Sequence, residues 1–77
     1  MTKVMVYSTN SCPYCQMAKA FLRDHNIDFA DINVQEDRAA AEEMVKKSGQ
    51  YGVPVIDIDG QIIVGFDKNR IAALLNI

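Results

Sequence analysis

Two cysteines separated by two residues, Cys12-Pro13-Tyr14-Cys15, fall where the hydrophobic pattern of the chain changes period. Upstream, residues 3–8 carry Val4, Val6 and Tyr7 in a mostly apolar run, which is the composition of a central strand. Downstream, Tyr14, Met17, Ala18, Phe21, Leu22 and His25 recur at steps of three and four, the spacing of one helical face. Asn10 and Ser11 are suited to cap that helix, Pro13 fits a first turn where no N–H is required, and Asn26 ends it. The pair therefore belongs at a strand-to-helix junction. A disulfide between residues this close ties a very short loop and adds little stability. Small secreted domains carry more cysteines, spread along the chain. The spacing serves chemistry and not architecture.

The remaining elements follow with short connections. Residues 28–34 read as a second strand through Phe29, Ile32 and Val34, so the first two strands are expected to be parallel with a right-handed crossover. Asp37 caps a second helix that runs to about Ser48, with Ala40, Ala41, Met44 and Val45 facing inward and Gly49 as its stop. Residues 53–58 form a third strand, with Pro54 near its start, where a strand tolerates proline. Asp59-Gly60 is a strong hairpin signal, and residues 61–64 return from it. Asp67 caps a last helix whose buried stripe is Ile71, Leu74 and Leu75, with Phe66 and Ile71 placed for a hydrophobic staple. The order βαβαββα predicts an α/β fold: a four-stranded mixed sheet flanked by three helices, with helices on both faces. At 77 residues the chain is expected to form one domain, 1–77.

Composition removes several classes of function. The net charge is −2, the longest basic run is Lys46-Lys47, and no aromatic is interleaved with basic residues, so a nucleic-acid surface is not expected. No apolar run approaches the roughly 20 residues of a membrane helix. The N-terminal residues enter a strand pattern directly and lack the features of a signal peptide. The expectation is a cytoplasmic monomer without membrane attachment.

The chemistry follows from the position of Cys12. At the start of a helix, unpaired N–H groups and the helix dipole favour negative charge, and the thiolate is the nucleophile of disulfide exchange. Cys15 lies one turn deeper on nearly the same face. In such a pair Cys12 attacks a substrate disulfide, and Cys15 then attacks Cys12 and releases the reduced product, leaving a Cys12–Cys15 disulfide for another thiol donor to reduce. A structural zinc site would need about four ligands. His25 is the sole histidine and sits at the far end of the same helix, so no metal is assigned. A C-x-x-C beside a strand–helix–strand pattern reads as a thioredoxin-like redox motif. If the third strand pairs with the first, Pro54 comes near Cys12. A cis bond there would turn the Val53 backbone outward, toward an extended thiol substrate.

Taken together, Cys-Pro-Tyr-Cys after a strand, Ser48-Gly49 leading to Val53-Pro54, Asp59-Gly60 in a hairpin and Gly65-x-Asp67 opening a helix resemble the glutaredoxin family over essentially the whole chain. The resemblance is to the dithiol Cys-Pro-Tyr-Cys type. It implies a thioredoxin fold and a glutathione site, with glutathione as co-substrate and no permanently bound cofactor. By the same resemblance, Val53, preceding a cis Pro54, pairs with the glutathione backbone, and Tyr14 borders the sulfur. Gly65 and Asp67, with the adjoining helix N-terminus, hold the γ-glutamyl end, and Lys46 reaches the glycine carboxylate. Thr9 stands where many glutaredoxins have a lysine, Gly52 where threonine is common, and Gly65-Phe66-Asp67-Lys68 where the family often has Gly-Cys/Ser-Asp-Asp. Lys68 adds a cation beside Asp67, while Thr9 removes one. Gly-Phe at that point is similar to the redoxins that serve ribonucleotide reductase and are recycled by thioredoxin reductase.

Three readings follow. The first is a glutathione-dependent oxidoreductase acting on protein disulfides and glutathionylated proteins. The second has the same chemistry with thioredoxin reductase as electron source. The third is a module holding an iron–sulfur cluster through Cys12 and glutathione, although cluster carriers more often have one cysteine followed by glycine.

Overall fold

The computed structural model describes residues 3–77; Met1 and Thr2, the start of the segment read as lacking signal-peptide character, lie outside the described residues. The elements are β1 (Val4–Ser8), α1 (Pro13–Asp24), β2 (Ala30–Asn33), α2 (Arg38–Ser48), β3 (Val55–Ile58), β4 (Gln61–Val64) and α3 (Lys68–Leu75). They form one sheet in the order β2-β1-β3-β4. β1 and β2 are parallel, and both β1–β3 and β3–β4 are antiparallel. This is the thioredoxin fold.

Strand pleating separates the core into two layers. Val4 and Val6 of β1, Ile56 and Ile58 of β3 and Ile63 of β4 pack with Ala18 and Leu22 of α1 and Ile71 of α3. The alternate residues Tyr7 and Val55 join Met44 of α2 in the second layer, bordered by Ile32, Val45 and Ile62. Each fully buried aliphatic side chain contributes about 1.5–3 kcal/mol, so even this small core can offset the entropy of ordering the chain.

The third strand also buries a charge. Asp57 stands on the α2 side of β3, and its Oδ2 accepts from Lys47 Nζ at 2.9 Å, while Lys47 also donates to the Tyr7 hydroxyl at 2.8 Å. Burial works against the Lys47 charge. Hydrogen bonds to Tyr7, Asp57 and Glu43 outweigh it and hold the pKa above the ordinary lysine value. The other Asp57 oxygen accepts from the Gly60 amide at 2.7 Å, tying the charge to the hairpin turn. In that turn Asp59 (φ 51°) and Gly60 (φ 90°) are both left-handed, as a type I′ hairpin requires.

Several local expectations need correction. The α1 cap is Cys12 and not Asn10 or Ser11. Asn10 instead accepts from Asn33 Nδ2, across the end of the β1–β2 pair. The buried face of α1 is Cys15, Ala18, Lys19 and Leu22. Tyr14 and Met17, read as part of the apolar stripe, are 62% and 50% exposed. The rotation has a simple cause: capping by Cys12 puts Cys15 over the sheet, and Tyr14 then points away. The strand read as residues 28–34 shortens to Ala30–Asn33, and that read as 53–58 begins at Val55, after the proline. Helix α2 is capped by Asp37 and stopped by a left-handed Gly49 (φ 75°), as expected.

Candidate active site

β1, an interior strand, ends at Ser8, and the four-residue loop 9–12 carries the chain through Cys12 into α1. Cys12 has extended backbone angles (φ −117°, ψ 104°), and its sulfur accepts the Cys15 amide at 3.2 Å. The carbonyl of Cys12 accepts the Gln16 amide at 3.2 Å, starting the helical ladder, and Pro13 occupies the first turn. The sulfur thus does what a serine or aspartate oxygen does at an ordinary N-cap, taking one of the orphan N–H groups of the helix.

Burial divides the two thiols. Cys12 is partly accessible, whereas Cys15 is fully enclosed beneath it. Burial, with a further contribution from its hydrogen bond with Cys12, pushes the Cys15 thiol up to about 12. A Thr9 backbone hydrogen bond and the charge of Lys19 act in the opposite sense. An incoming disulfide can reach Cys12 and not Cys15.

The Val53–Pro54 peptide is cis. The pairing of Tyr7 with Val55 brings this bend beside the cysteine pair, and the Cys12 thiol donates a long hydrogen bond to the Val53 carbonyl oxygen at 3.8 Å. The Pro54 carbonyl in turn accepts the Gly65 amide at 2.8 Å, where Gly65 is left-handed at φ 82°. β1, β3 and the end of β4 therefore meet at one corner of the sheet, under Cys12.

The other residues singled out from sequence differ in exposure and in local role. Tyr14 is exposed on the first turn of α1, and Thr9, the first residue of the loop between β1 and Cys12, is half-buried. Asp67 caps α3, its Oδ1 accepting the Arg70 amide at 3.2 Å. Lys68 places its ammonium 5.8 Å from the centre of the Phe21 ring. Lys46 is exposed in the last turn of α2. Ahead of Val53, the Gln50 side chain folds back on Gly52, accepting its amide and donating to its carbonyl at 2.9 Å. A Cβ on residue 52 would stand 2.6 Å from Gln50 Oε1, so glycine leaves room for this closure.

Two features escaped the sequence reading. Tyr51, 81% exposed, extends from the loop ahead of Val53. Lys19, about two turns along α1 from Cys12 and too far to be its proton partner by itself, is buried on the same helix face as Cys15. Its spacing of four residues from Cys15 was the available signal. Among the described residues no cluster of three or more histidine, cysteine or carboxylate side chains is placed to hold a metal ion. Among them, too, no helix is long and apolar enough to cross a membrane.

An accessible cysteine at a helix N-terminus, a buried cysteine one turn on, and a cis-proline bend alongside define a thioredoxin-fold thiol–disulfide oxidoreductase. Residues 4–63 match the family model described as Glutaredoxin. An uncharacterized glutaredoxin-like 8.6 kDa protein from a rubredoxin operon of Clostridium pasteurianum is 51% identical over 72 residues, 94% of this chain and 96% of that one. Glutaredoxin 3 of Escherichia coli is 42% identical over 67 residues, 87% of this chain and 81% of that one. Among solved structures, the glutaredoxin-like NrdH-redoxin of Escherichia coli superposes with a TM-score of 0.84 at 28% identity. That match covers 94% of this chain and 93% of that one, and the structure was described as the basis of a thioredoxin-like activity profile. The chain belongs to the glutaredoxin family.

Proposed function

We propose that this protein is a dithiol glutaredoxin that reduces protein disulfides and glutathione mixed disulfides, with electrons from glutathione. The observation that carries the reading is the difference in access between the half-buried Cys12, its sulfur 3.8 Å from the Val53 carbonyl, and the fully buried Cys15. Cys12 attacks one sulfur of the substrate disulfide. A Cys12–substrate disulfide forms, and the other sulfur leaves as a thiol after taking up a proton. A glutathione mixed disulfide needs only this step, with a second glutathione regenerating Cys12. For a protein disulfide, Cys15 attacks Cys12, and two glutathiones then reduce the resulting Cys12–Cys15 disulfide.

In this reading the glutathione chain lies extended along Val53, its backbone pairing with the residue before Pro54 as an added strand would. Tyr14 borders the sulfur, and Gly65, Asp67 and the first amides of α3 receive the γ-glutamyl end. Lys46 and Lys68 supply positive charge for the carboxylates, and Thr9 opens the loop that carries Cys12. The protein works as a single-domain monomer in the cytoplasm, where the thiol pool keeps the pair reduced.

A second reading keeps the cysteine chemistry and replaces glutathione with thioredoxin reductase. It is favoured by the likeness to NrdH-redoxin and by Phe66 and Thr9 at positions where glutaredoxins commonly differ. Turnover of one disulfide substrate, measured in parallel with glutathione plus glutathione reductase and with thioredoxin reductase plus its nicotinamide donor, separates the two. Faster recycling with glutathione is expected. Recycling by thioredoxin reductase alone would replace the first reading with the second.

A further inference from the structure

Helix α1 buries one charged side chain. Lys19 is 6% exposed and lies four residues from Cys15 on the stripe that packs on the sheet, so the two side chains are neighbours on that face. Its ammonium donates to Asp31 Oδ2 at 3.0 Å and to Ser8 Oγ at 3.3 Å, and the Ser8 hydroxyl donates to Asp31 Oδ1 at 3.0 Å. Three elements, α1, β1 and β2, thus meet at one ammonium. Enclosing a lysine costs several kcal/mol, and an apolar residue of similar volume would fill the site without that penalty.

The ion pair is unevenly buried. The Lys19 side chain is 8% exposed and that of Asp31 is 44% exposed. Water screens the carboxylate at the rim better than the ammonium beneath, so the positive charge prevails at depth. Cys15, fully buried, is the thiol at that depth. The titratable or charged groups around it are Cys12 above it, Lys19 along the helix and, through Lys19, Asp31 from β2.

We propose that Lys19 is a positioning residue for the resolving step, its fixed charge, oriented by Asp31 and Ser8, stabilising the Cys15 thiolate as it forms. The inference rests on the reading of Cys15 as the resolving thiol. In that step the Cys15 proton passes to water and the Cys15 sulfur attacks the Cys12 sulfur. The bond from Cys12 to the substrate sulfur breaks, and the departing thiolate takes a proton from water. The substrate sulfur gains the electron pair, and the two cysteines become the disulfide. Lys19 keeps its proton throughout.

Two measurements without glutathione test this. In a Cys12→Ser background, the Cys15 thiolate is titrated by its ultraviolet absorbance with Lys19, Lys19→Gln, Lys19→Arg and Asp31→Asn. Lys19→Gln is expected to move the titration to higher pH, Lys19→Arg to restore it, and Asp31→Asn to move it to lower pH. With both cysteines present, Cys12 is converted to its mixed disulfide with thionitrobenzoate, and release of the coloured thiol reports attack by Cys15. At fixed pH, Lys19→Gln should slow this release roughly twofold for each half-unit shift in the attacking thiol, because the about threefold smaller thiolate fraction is partly offset by the greater nucleophilicity of the more basic thiolate. An unmoved titration in Lys19→Gln, or shifts of the same sign in Lys19→Gln and Asp31→Asn, would overturn the proposal. General loosening of the fold does not produce opposite signs. Turnover of the unmodified protein with glutathione is measured separately, so failure of the glutathione reading leaves these titrations interpretable.

Discussion

The Cys15 amide donates to the Cys12 sulfur across 3.2 Å, while the Cys15 sulfur lies sealed behind it. One residue thus supports the nucleophile through its backbone and waits with its side chain. Cys12→Ser should abolish both removal of glutathione from a protein and reduction of an intramolecular protein disulfide. Cys15→Ser should spare the first and lose the second, because the amide remains and only the resolving thiol is gone. Assays with a glutathionylated protein and with a disulfide-linked protein check the division. Equal losses in both single variants would contradict it.

The buried thiol makes the reduced protein sensitive to alkali. Cys15 is pushed from an ordinary value of 9.0 to about 12 in the fold, so above about pH 9 the unfolded chain loses this proton while the folded chain keeps it. The unfolded state then binds fewer protons, and stability falls as pH rises. The contribution is complete below about pH 9 and is lost progressively toward about pH 12. Thermal midpoints of the reduced protein between pH 8 and 11 should fall more steeply than those of Cys15→Ser.

Asp67 has a structural duty in addition to the one proposed for it, and the two separate by substitution. Asn retains an oxygen for the Arg70 amide and removes the charge. Asp67→Asn should keep stability within about 0.5 kcal/mol and raise KM for glutathione several-fold, whereas Asp67→Ala should also lose about 1 kcal/mol. An unchanged KM in Asp67→Asn would reduce the residue to a helix cap.

Among the described residues, Lys47 is the one cation paired with Asp57. Lys47→Met leaves the carboxylate with the Gly60 amide and no opposite charge, and should destabilise the protein by about 2–3 kcal/mol. The cost falls below the roughly 3–5 kcal/mol of breaking a fully buried pair because Lys47 reaches partly into solvent. The double variant Lys47→Met/Asp57→Leu should lose less than the sum of the single changes, as measured by urea unfolding.

Gly65 is left-handed, and an added Cβ would meet nothing within 4 Å. Gly65→Ala therefore carries a conformational penalty and no clash, about 1 kcal/mol. Its urea midpoint should fall with the m-value unchanged.

Much of this architecture was legible in one dimension because it is local. Asp37 and Asp67 precede helical periodicity, Gly49 follows it, and Asp59-Gly60 demands left-handed angles whatever surrounds it. The cysteine spacing and the strand-to-helix change of period located the reactive pair. The misread face of α1 has an equally local origin: Tyr14 and Met17 are apolar and correctly spaced, but spacing sets only which residues share a face, not which face meets the sheet. Asn10 and Ser11 were good caps by type, yet the chain entered the helix two and one residues later, at a sulfur.

By itself the sequence determined the order of elements, the turns and the Cys12–Cys15 pair, since these depend on backbone preferences and on periods of two and 3.6 residues. Tertiary structure alone decided the rest. The β1–β3 pairing brought Val53 to within 3.8 Å of the Cys12 sulfur from a distance of 41 residues, and packing of α1 on the sheet enclosed Cys15 and Lys19. Burial and long-range register are properties of the assembled sheet, and they divide two chemically identical thiols into one that is reached and one that is held back.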